Sequence, residues 1–152
     1  AADNNHVLDP KEIPVVQSDR GGEVTYHGPG QLVIYFLLDI KKLGCGPNKL
    51  VVSIQEFIKE LLSDLAIESL FIEGAPGVYV NDKKIASIGL RISKNKTYHG
   101  VSINFDMDLK PFTYINPCGY EGLEVTQIKD FNRNISKLQL EELVIEKLRH
   151  IF

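Results

Sequence analysis

The sequence predicts an α+β fold: a mixed, antiparallel-rich sheet packed with two principal helices. Residues 32–40 form the most continuous apolar segment of the first half of the chain, which is typical of a strand buried on both faces. Residues 50–65 carry apolar side chains at helical spacing, and residues 67–105 alternate between apolar stretches and turn residues. A chain of 152 residues with 43% apolar content suits one globular domain, and no linker is visible.

The first half of the chain is predicted to hold two strands and one helix. Residues 13–16 are expected to form a short strand before a glycine-rich loop, and residues 41–48 a turn before the helix. The helix has one apolar stripe that should face the core, made by Leu50, Ile54, Phe57, Ile58, Leu61 and Leu65.

Hairpins are predicted for the middle of the chain. Asn81 and Asp82 are residues that favour a tight turn between strands, and residues 94–96 are expected to form the tip of a second hairpin. The strands that these turns separate are residues 67–72, 78–80, 84–92 and 97–105.

The end of the chain is predicted to be helical. Residues 108–112 are expected to form a helical turn. Ser136 precedes Gln139 by three residues, which is the pattern of a capping box at a helix start. The buried face of this last helix should contain Leu140, Leu143, Val144, Leu148 and Ile151.

Charge and composition exclude several classes of function. The chain has 17 basic and 20 acidic residues and a net charge of −3, so it does not look like a nucleic-acid binder. No apolar run is long enough for a membrane span, and no secretion signal is visible. Its two cysteines make neither a disulfide framework nor a zinc pattern. We therefore expect a cytoplasmic protein with free thiols, no metal and no cofactor.

Basic residues nevertheless gather locally, at positions 41–42, 94–96 and 133–137. They are interpreted either as solvated loops or as a docking patch for an acidic partner.

Residues 20–31, which read RGGEVTYHGPGQ, hold four of the chain's twelve glycines. Glycine lets a backbone approach a ligand closely because no Cβ intervenes. The stretch lacks the known phosphate-loop patterns, so it is either a plain turn or a ligand-binding loop. Its TYHG tetrapeptide returns at residues 97–100, by chance or because two loops converge on one pocket.

Two thiols are candidate nucleophiles. Cys118 lies between Pro117 and Gly119, whereas Cys45 lies between two glycines, and spacing does not rank them. A reactive thiolate needs a base or a cation beside it. His27, His99 and Lys84 are the candidates, and Lys84 opens an apolar strand in which its neighbour Lys83 should point to solvent.

Four blocks, in this order, carry a resemblance to a known family: RGGEVTYHGPGQL, KKIASIGLRI, TYHGVSINF and INPCGY. Together they closely resemble the lipoyl(octanoyl) transferases, which are related to the lipoate- and biotin-protein ligases. The blocks extend from Arg20 to Tyr120, most of the chain.

The resemblance implies a biotin/lipoate protein ligase-like catalytic domain over residues 1–152 that lacks an N-terminal portion. It implies an octanoyltransferase without a cofactor. The donor would be octanoyl-acyl carrier protein. The acceptors would be lipoyl domains of 2-oxoacid dehydrogenase complexes and the H protein of glycine cleavage. An ATP-dependent lipoate-protein ligase and a non-catalytic acyl- or carrier-binding module are the alternatives.

Residue by residue, the resemblance assigns the nucleophile to Cys118 and its dyad partner to Lys84. It assigns substrate contacts to two kinds of segment, the glycine-rich loop and two apolar strands. These residues are Arg20, Gly21, Gly22, Glu23, Val24, Thr25, Tyr26, His27, Ser87, Ile88, Gly89, Gly100, Val101 and Ser102.

Overall fold

The computed structural model, which describes residues 4–117 and 121–151, contains a five-stranded antiparallel sheet with helices against one face. The strand order is β1-β5-β4-β3-β2. The strands are β1 (Gln31–Tyr35), β2 (Leu70–Ile72), β3 (Ala75–Val80), β4 (Lys83–Ser93) and β5 (Lys96–Asn104). The helices are α1 (Pro47–Asp64) and α2 (Lys137–Ile151), with short 3-10 helices at Asn4–His6, Lys110–Tyr114 and Ile128–Asp130. Within the two described ranges, no helix combines the length and the apolar character that crossing a bilayer requires.

Both predicted hairpins are confirmed. Asn81 and Asp82 connect β3 to β4 with φ angles of 48° and 63°. Lys94 and Asn95 connect β4 to β5 with φ angles of 49° and 63°. Two successive left-handed residues give a turn whose twist matches that of the flanking strands, and this explains the short loops.

The apolar stripe of α1 forms the centre of the core, as predicted. Its buried residues are Leu50, Ile54, Phe57, Ile58, Leu61 and Leu62, and Leu65 follows just beyond the helix. They pack against the side chains that β3, β4 and β5 direct to the same side, which include Val78, Val80, Ala86, Val101 and Ile103.

The predicted capping box begins α2. The backbone N–H of Ser136 donates to Gln139 Oε1 at 2.8 Å, and the backbone N–H of Gln139 donates to Ser136 Oγ at 3.2 Å. Leu140 and Val144 are buried by this helix. The other three predicted residues, Leu143, Leu148 and Ile151, are partly buried against the same core.

The prediction for residues 32–40 was wrong in two respects. The strand ends at Tyr35, and it lies at the edge of the sheet. Of the strand residues, Leu32 and Ile34 pack against the core, while Val33 is 39% and Tyr35 66% exposed. Residues 32–35 are all apolar because one side of the strand meets the core and the other meets an open cavity.

Three smaller differences concern element boundaries. Residues 13–16 form no strand, and Val16 is 80% exposed; Pro14 has no N–H to give to a ladder. β2 starts at Leu70, because Ile67 donates its N–H to Leu62 and so belongs to the end of α1. The helical turn predicted at residues 108–112 is a 3-10 helix two residues later.

The capping box gives a stability prediction. Replacing Ser136 by Ala removes the side-chain acceptor for the Gln139 N–H and should lower the free energy of unfolding by about 1 kcal/mol. Urea unfolding followed by circular dichroism measures the change. Ser63→Ala, at an exposed position of α1, is the matched control and should be neutral or slightly stabilising. Equal behaviour of the two variants would contradict this role for the cap.

Candidate functional site

An open cavity of about 630 Å³ lies on the face of the sheet opposite the helices. Val33, Ser87 and Ser102 line it from three strands, whereas their strand neighbours Ile34, Ala86 and Ile103 pack toward the core. Strand side chains alternate between faces, so the alternation places the cavity on the far side of the sheet from α1. Most of the other wall comes from residues between Ile13 and His27.

The glycine-rich loop lies directly on the strand floor. A Cβ on Gly89 would be 3.0 Å from Arg20 Cδ and 3.1 Å from the carbonyl oxygen of Gly21. The Gly21 N–H donates to the carbonyl of Leu90 at 3.0 Å, and Arg20 Nη1 donates to the Gly21 carbonyl at 3.1 Å. A Cβ at position 89 would require Arg20 and the Gly21 carbonyl to shift by a few tenths of an ångström, which favours glycine there.

Lys84 is buried on the cavity face of β4, with only 2% of its surface exposed. A bulge causes this orientation: Val78 pairs with Ala86 and Tyr79 pairs with Lys84, so Ile85 is an extra residue. Ile85 and Ala86 both pack into the core, and Lys84 therefore stands on the opposite face, as Ser87 does.

The surroundings of Lys84 fix the path of its side chain. Nζ lies 5.5 Å from the centroid of the Tyr79 ring, and a Cβ on Gly77 would be 2.4 Å from Lys84 Cε. The backbone is held by two hydrogen bonds of 2.9 Å, to the carbonyl of Glu124 and from the N–H of Thr126. Lys83 points away, as expected from strand alternation, and pairs with Glu124.

Cys118 lies outside the described residues, so its pairing with Lys84 stays a prediction. The described chain reaches it through Pro117, which is buried. Cys45 is half-buried and packs against the core cluster, on the helix side of the sheet. The fold thus separates Cys45 from the cavity.

Most of the predicted substrate-binding residues line the cavity. They are Arg20, Gly22, Glu23, Thr25, Tyr26, His27, Ser87, Ile88, Gly89, Gly100, Val101 and Ser102. Gly21 and Val24 do not: Gly21 is bonded to β4, and Val24 faces a smaller adjoining cavity of about 120 Å³. The binding role of the whole set stays a prediction.

Sequence reasoning missed part of the cavity wall. Ile13, Pro14, Val16 and Ser18 carry no pattern that separates them from an ordinary loop, and Pro76 belongs to a short edge hairpin. Val33 and Tyr35 also line the cavity, and because residues 32–35 are all apolar, the sequence does not distinguish the two faces of β1. The two TYHG segments meet there, through Tyr26, His27, His99 and Gly100, although one lies in a loop and the other in β5.

Asp19 fastens the loop to the sheet. It accepts a hydrogen bond of 2.7 Å from His99 Nε2 and forms an ion pair with Arg91. The hydrogen bond from His99 is the main cause that holds the pKa of Asp19 below its ordinary value, with the Arg91 charge acting in the same direction.

Among the described residues, no group of three or more His, Cys, Asp or Glu side chains is arranged to hold a metal ion.

The contact of Asp19 with His99 and Arg91 should make the stability of the fold depend on pH. Because the folded pKa of Asp19 is lowered, the contact stabilises the fold above the unfolded pKa, and that stabilisation is lost as pH falls through the folded pKa. His99→Asn keeps a residue that tolerates the left-handed backbone there (φ 62°) but shortens the side chain. The pKa of Asp19, followed by carbon NMR of its carboxyl group, should rise in this variant, and rise less in Arg91→Gln. An unchanged titration in both would contradict the assignment.

Comparison with known proteins gives the family. An octanoyltransferase of Hahella chejuensis is 54% identical over 136 residues, which cover 90% of this chain and 61% of the relative. An octanoyltransferase of Vesicomyosocius okutanii is 48% identical over 146 residues, which cover 96% of this chain and 70% of the relative. The chain therefore spans less than two thirds of the first relative's length.

Solved structures confirm the predicted fold. Lipoate-protein ligase A bound with ATP superposes with a TM-score of 0.67 at 14% identity, covering 88% of this chain and 56% of the other. The apo biotin protein ligase from Aquifex aeolicus gives 0.62 at 17% identity, covering 80% and 52%. At these identities the likeness concerns the fold alone. The sequence model of the lipoyl protein ligase A/B catalytic domain matches residues 2–149, and the chain belongs to that family.

Proposed function

We propose that this chain is an octanoyltransferase of protein lipoylation. It moves an octanoyl group from acyl carrier protein to the ε-amine of a lysine, through a thioester on Cys118. The acceptors are the lipoyl domains of 2-oxoacid dehydrogenase complexes and the glycine cleavage H protein. One observation carries the proposal: a chain 54% identical to a protein named octanoyltransferase presents a buried lysine on the cavity face of its sheet.

The first half-reaction loads the enzyme. The Cys118 thiolate attacks the carbonyl carbon of the carrier thioester and forms a new carbon–sulfur bond. The bond to the pantetheine sulfur breaks, and that thiol leaves with a proton from Lys84. A thiolate beside an ammonium is a favourable charge state for this step, since each charge lowers the cost of burying the other.

The second half-reaction transfers the acyl group. Lys84, now neutral, takes a proton from the incoming lysine amine as that nitrogen attacks the acyl-enzyme carbonyl. The carbon–sulfur bond to Cys118 breaks, and the thiolate returns. An amide is more stable than a thioester, so the transfer needs no ATP.

The environment of Lys84 supports this role. A lysine that is 98% removed from solvent would be costly unless its charge is compensated or used. The Tyr79 ring lies within cation–π range of Nζ. Gly77 leaves the space that the end of the lysine side chain occupies.

The cavity also supports an acyl substrate. Ile13, Pro14, Val16, Val33 and Tyr35 provide apolar surface along it. Burying seven carbons beyond the carbonyl would contribute about 5–6 kcal/mol, at roughly 0.8 kcal/mol for each methylene. Shortening the chain by two carbons would lose about 1.6 kcal/mol, or roughly fifteenfold in binding, so a hexanoyl donor should be a measurably poorer substrate.

The nucleophile is tested by intact mass. Incubation with octanoyl-acyl carrier protein should add one octanoyl group to the protein, and peptide mapping should place it on Cys118. Cys118→Ser should abolish both adduct and turnover, whereas Cys45→Ser should change neither, because Cys45 packs on the helix side of the sheet. The reverse pattern would assign the thioester to Cys45, and binding without any adduct would favour the non-catalytic module.

The role of Lys84 is tested by removing its charge while keeping its bulk. Lys84→Met should lower the rate of transfer by about 10²–10⁴, the usual contribution of a positioned proton donor and acceptor. Its thermal stability should remain close to that of the original chain, because methionine fills the buried space. Lys83→Met is the matched control. The Lys83 side chain is half-exposed, so this variant should tolerate the change without loss of rate. Equal rates in the two variants would remove Lys84 from the mechanism.

The ligase alternative has its own signature. A lipoate-protein ligase releases pyrophosphate when ATP and lipoate are added, whereas the transferase needs neither. Pyrophosphate release by this chain, with Cys118→Ser fully active, would overturn the proposal.

A further inference from the structure

A chain of amide hydrogen bonds joins the cavity wall to the interior of the sheet. Gln31 Nε2 donates to the carbonyl oxygen of Tyr26 at 3.2 Å and to Asn104 Oδ1 at 3.0 Å. Asn104 Nδ2 donates to the carbonyl oxygen of Thr126 at 2.9 Å. At the cavity end, Gln31 Oε1 lies 2.7 Å from His27 Nδ1.

Two backbone carbonyl groups fix which end of each side-chain amide in this hydrogen-bond network donates and which accepts. A backbone carbonyl oxygen only accepts hydrogen bonds, so Tyr26 requires the amide nitrogen of Gln31, and Thr126 requires that of Asn104. The group of Gln31 that faces His27 is therefore its oxygen, which also only accepts. The proton of the bond must lie on His27 Nδ1. In a neutral imidazole the other nitrogen, Nε2, then carries a lone pair and no proton.

Burial disfavours a flip of the Asn104 side-chain amide. Asn104 is 4% exposed and Thr126 is 3% exposed. Gln31 and Asn104 are directly paired residues of β1 and β5, so the backbone register also holds the two amides together. Thr126 in turn donates its N–H to the carbonyl of Lys84. These hydrogen bonds thereby connect His27 to the segment that carries the candidate catalytic lysine.

We propose that Gln31 and Asn104 are positioning residues that hold His27 as its Nδ1–H tautomer, so that Nε2 accepts a hydrogen bond from the attacking amine of the acceptor lysine. This inference rests on the proposed function. His27 lines the cavity, and no hydrogen bond from the described residues reaches its Nε2.

The tautomer decides which reactant His27 can serve. An unprotonated Nε2 has nothing to donate, so the neutral ring is unsuited to stabilise the oxyanion of the thioester carbonyl. The attacking amine is the reactant that presents N–H groups and must lose a proton. An acceptor placed at the cavity wall would orient that amine before Lys84 takes the proton.

Nitrogen NMR of isotope-labelled histidine tests the tautomer directly. The signals of His27 are assigned by their loss in His27→Gln. In the neutral ring, Nδ1 should show the chemical shift of a protonated nitrogen and Nε2 that of an unprotonated one. Gln31→Met removes the acceptor and should populate the Nε2–H tautomer, whereas Gln31→Glu retains an acceptor and should preserve Nδ1–H. Gln55→Met, on α1 at the helix side of the sheet, is the control and should leave the spectrum unchanged.

Kinetics test the consequence. Gln31→Met should raise the KM for the lipoyl domain about tenfold, the effect of losing one hydrogen bond to an amine, and leave the rate of Cys118 acylation close to that of the original chain. A protonated Nε2 in the original chain, or an unchanged tautomer in Gln31→Met, would overturn the inference, as would a loss confined to acylation. A chain that forms no octanoyl adduct at all would instead contradict the proposed function, so the two failures are distinguishable.

Discussion

The bulge at Ile85 is the constraint on which the arrangement of the site depends. In an unbroken ladder, residues two apart share a face, so Lys84 would share the face of Ala86 and enter the core against α1. An ammonium in that apolar core would be strongly destabilising. One extra residue between the pairs Val78–Ala86 and Tyr79–Lys84 avoids this, because it turns Ile85 and Ala86 to the core and Lys84 to the opposite face of the sheet. The same insertion therefore completes the core and places Lys84 on the face of the sheet that bears the cavity.

The cavity wall depends on how closely a loop can approach the sheet. Arg20 and Gly21 lie over Gly89, and a single hydrogen bond from Gly21 to Leu90 sets the distance. Asp19, one residue earlier, reaches His99 and Arg91 on the neighbouring strands. Within the described part of the chain, few other hydrogen bonds hold residues 13–19, and Val15 and Val16 are largely exposed. This part of the wall should consequently be the least stable, as is usual for segments that must admit a substrate.

The sequence predicted the elements whose signals are local. The stripe of α1, the turn at Asn81 and Asp82, and the capping box at Ser136 each depend on residues a few positions apart, so a pattern suffices to identify them. The edge position of β1 could not be predicted in this way, because Val33 and Tyr35 are apolar for a reason that only the tertiary structure supplies: they face a cavity and not a second layer. The bulge is likewise hidden, since two adjacent apolar residues, Ile85 and Ala86, give no sign of where the ladder slips.

The contacts within the site could not be predicted from the sequence, because they join residues that are distant along the chain. His27 and Lys84 lie far apart in sequence, yet Asn104 and Thr126 connect the bonds that hold both of them. Turning over the Asn104 amide alone would set its oxygen against the Thr126 carbonyl and its nitrogen against the Gln31 nitrogen. Each buried group left without a partner costs about 1–3 kcal/mol, and two would be lost at once. The orientation of one buried amide is thus strongly preferred, and through Gln31 it dictates which nitrogen of His27 carries the proton.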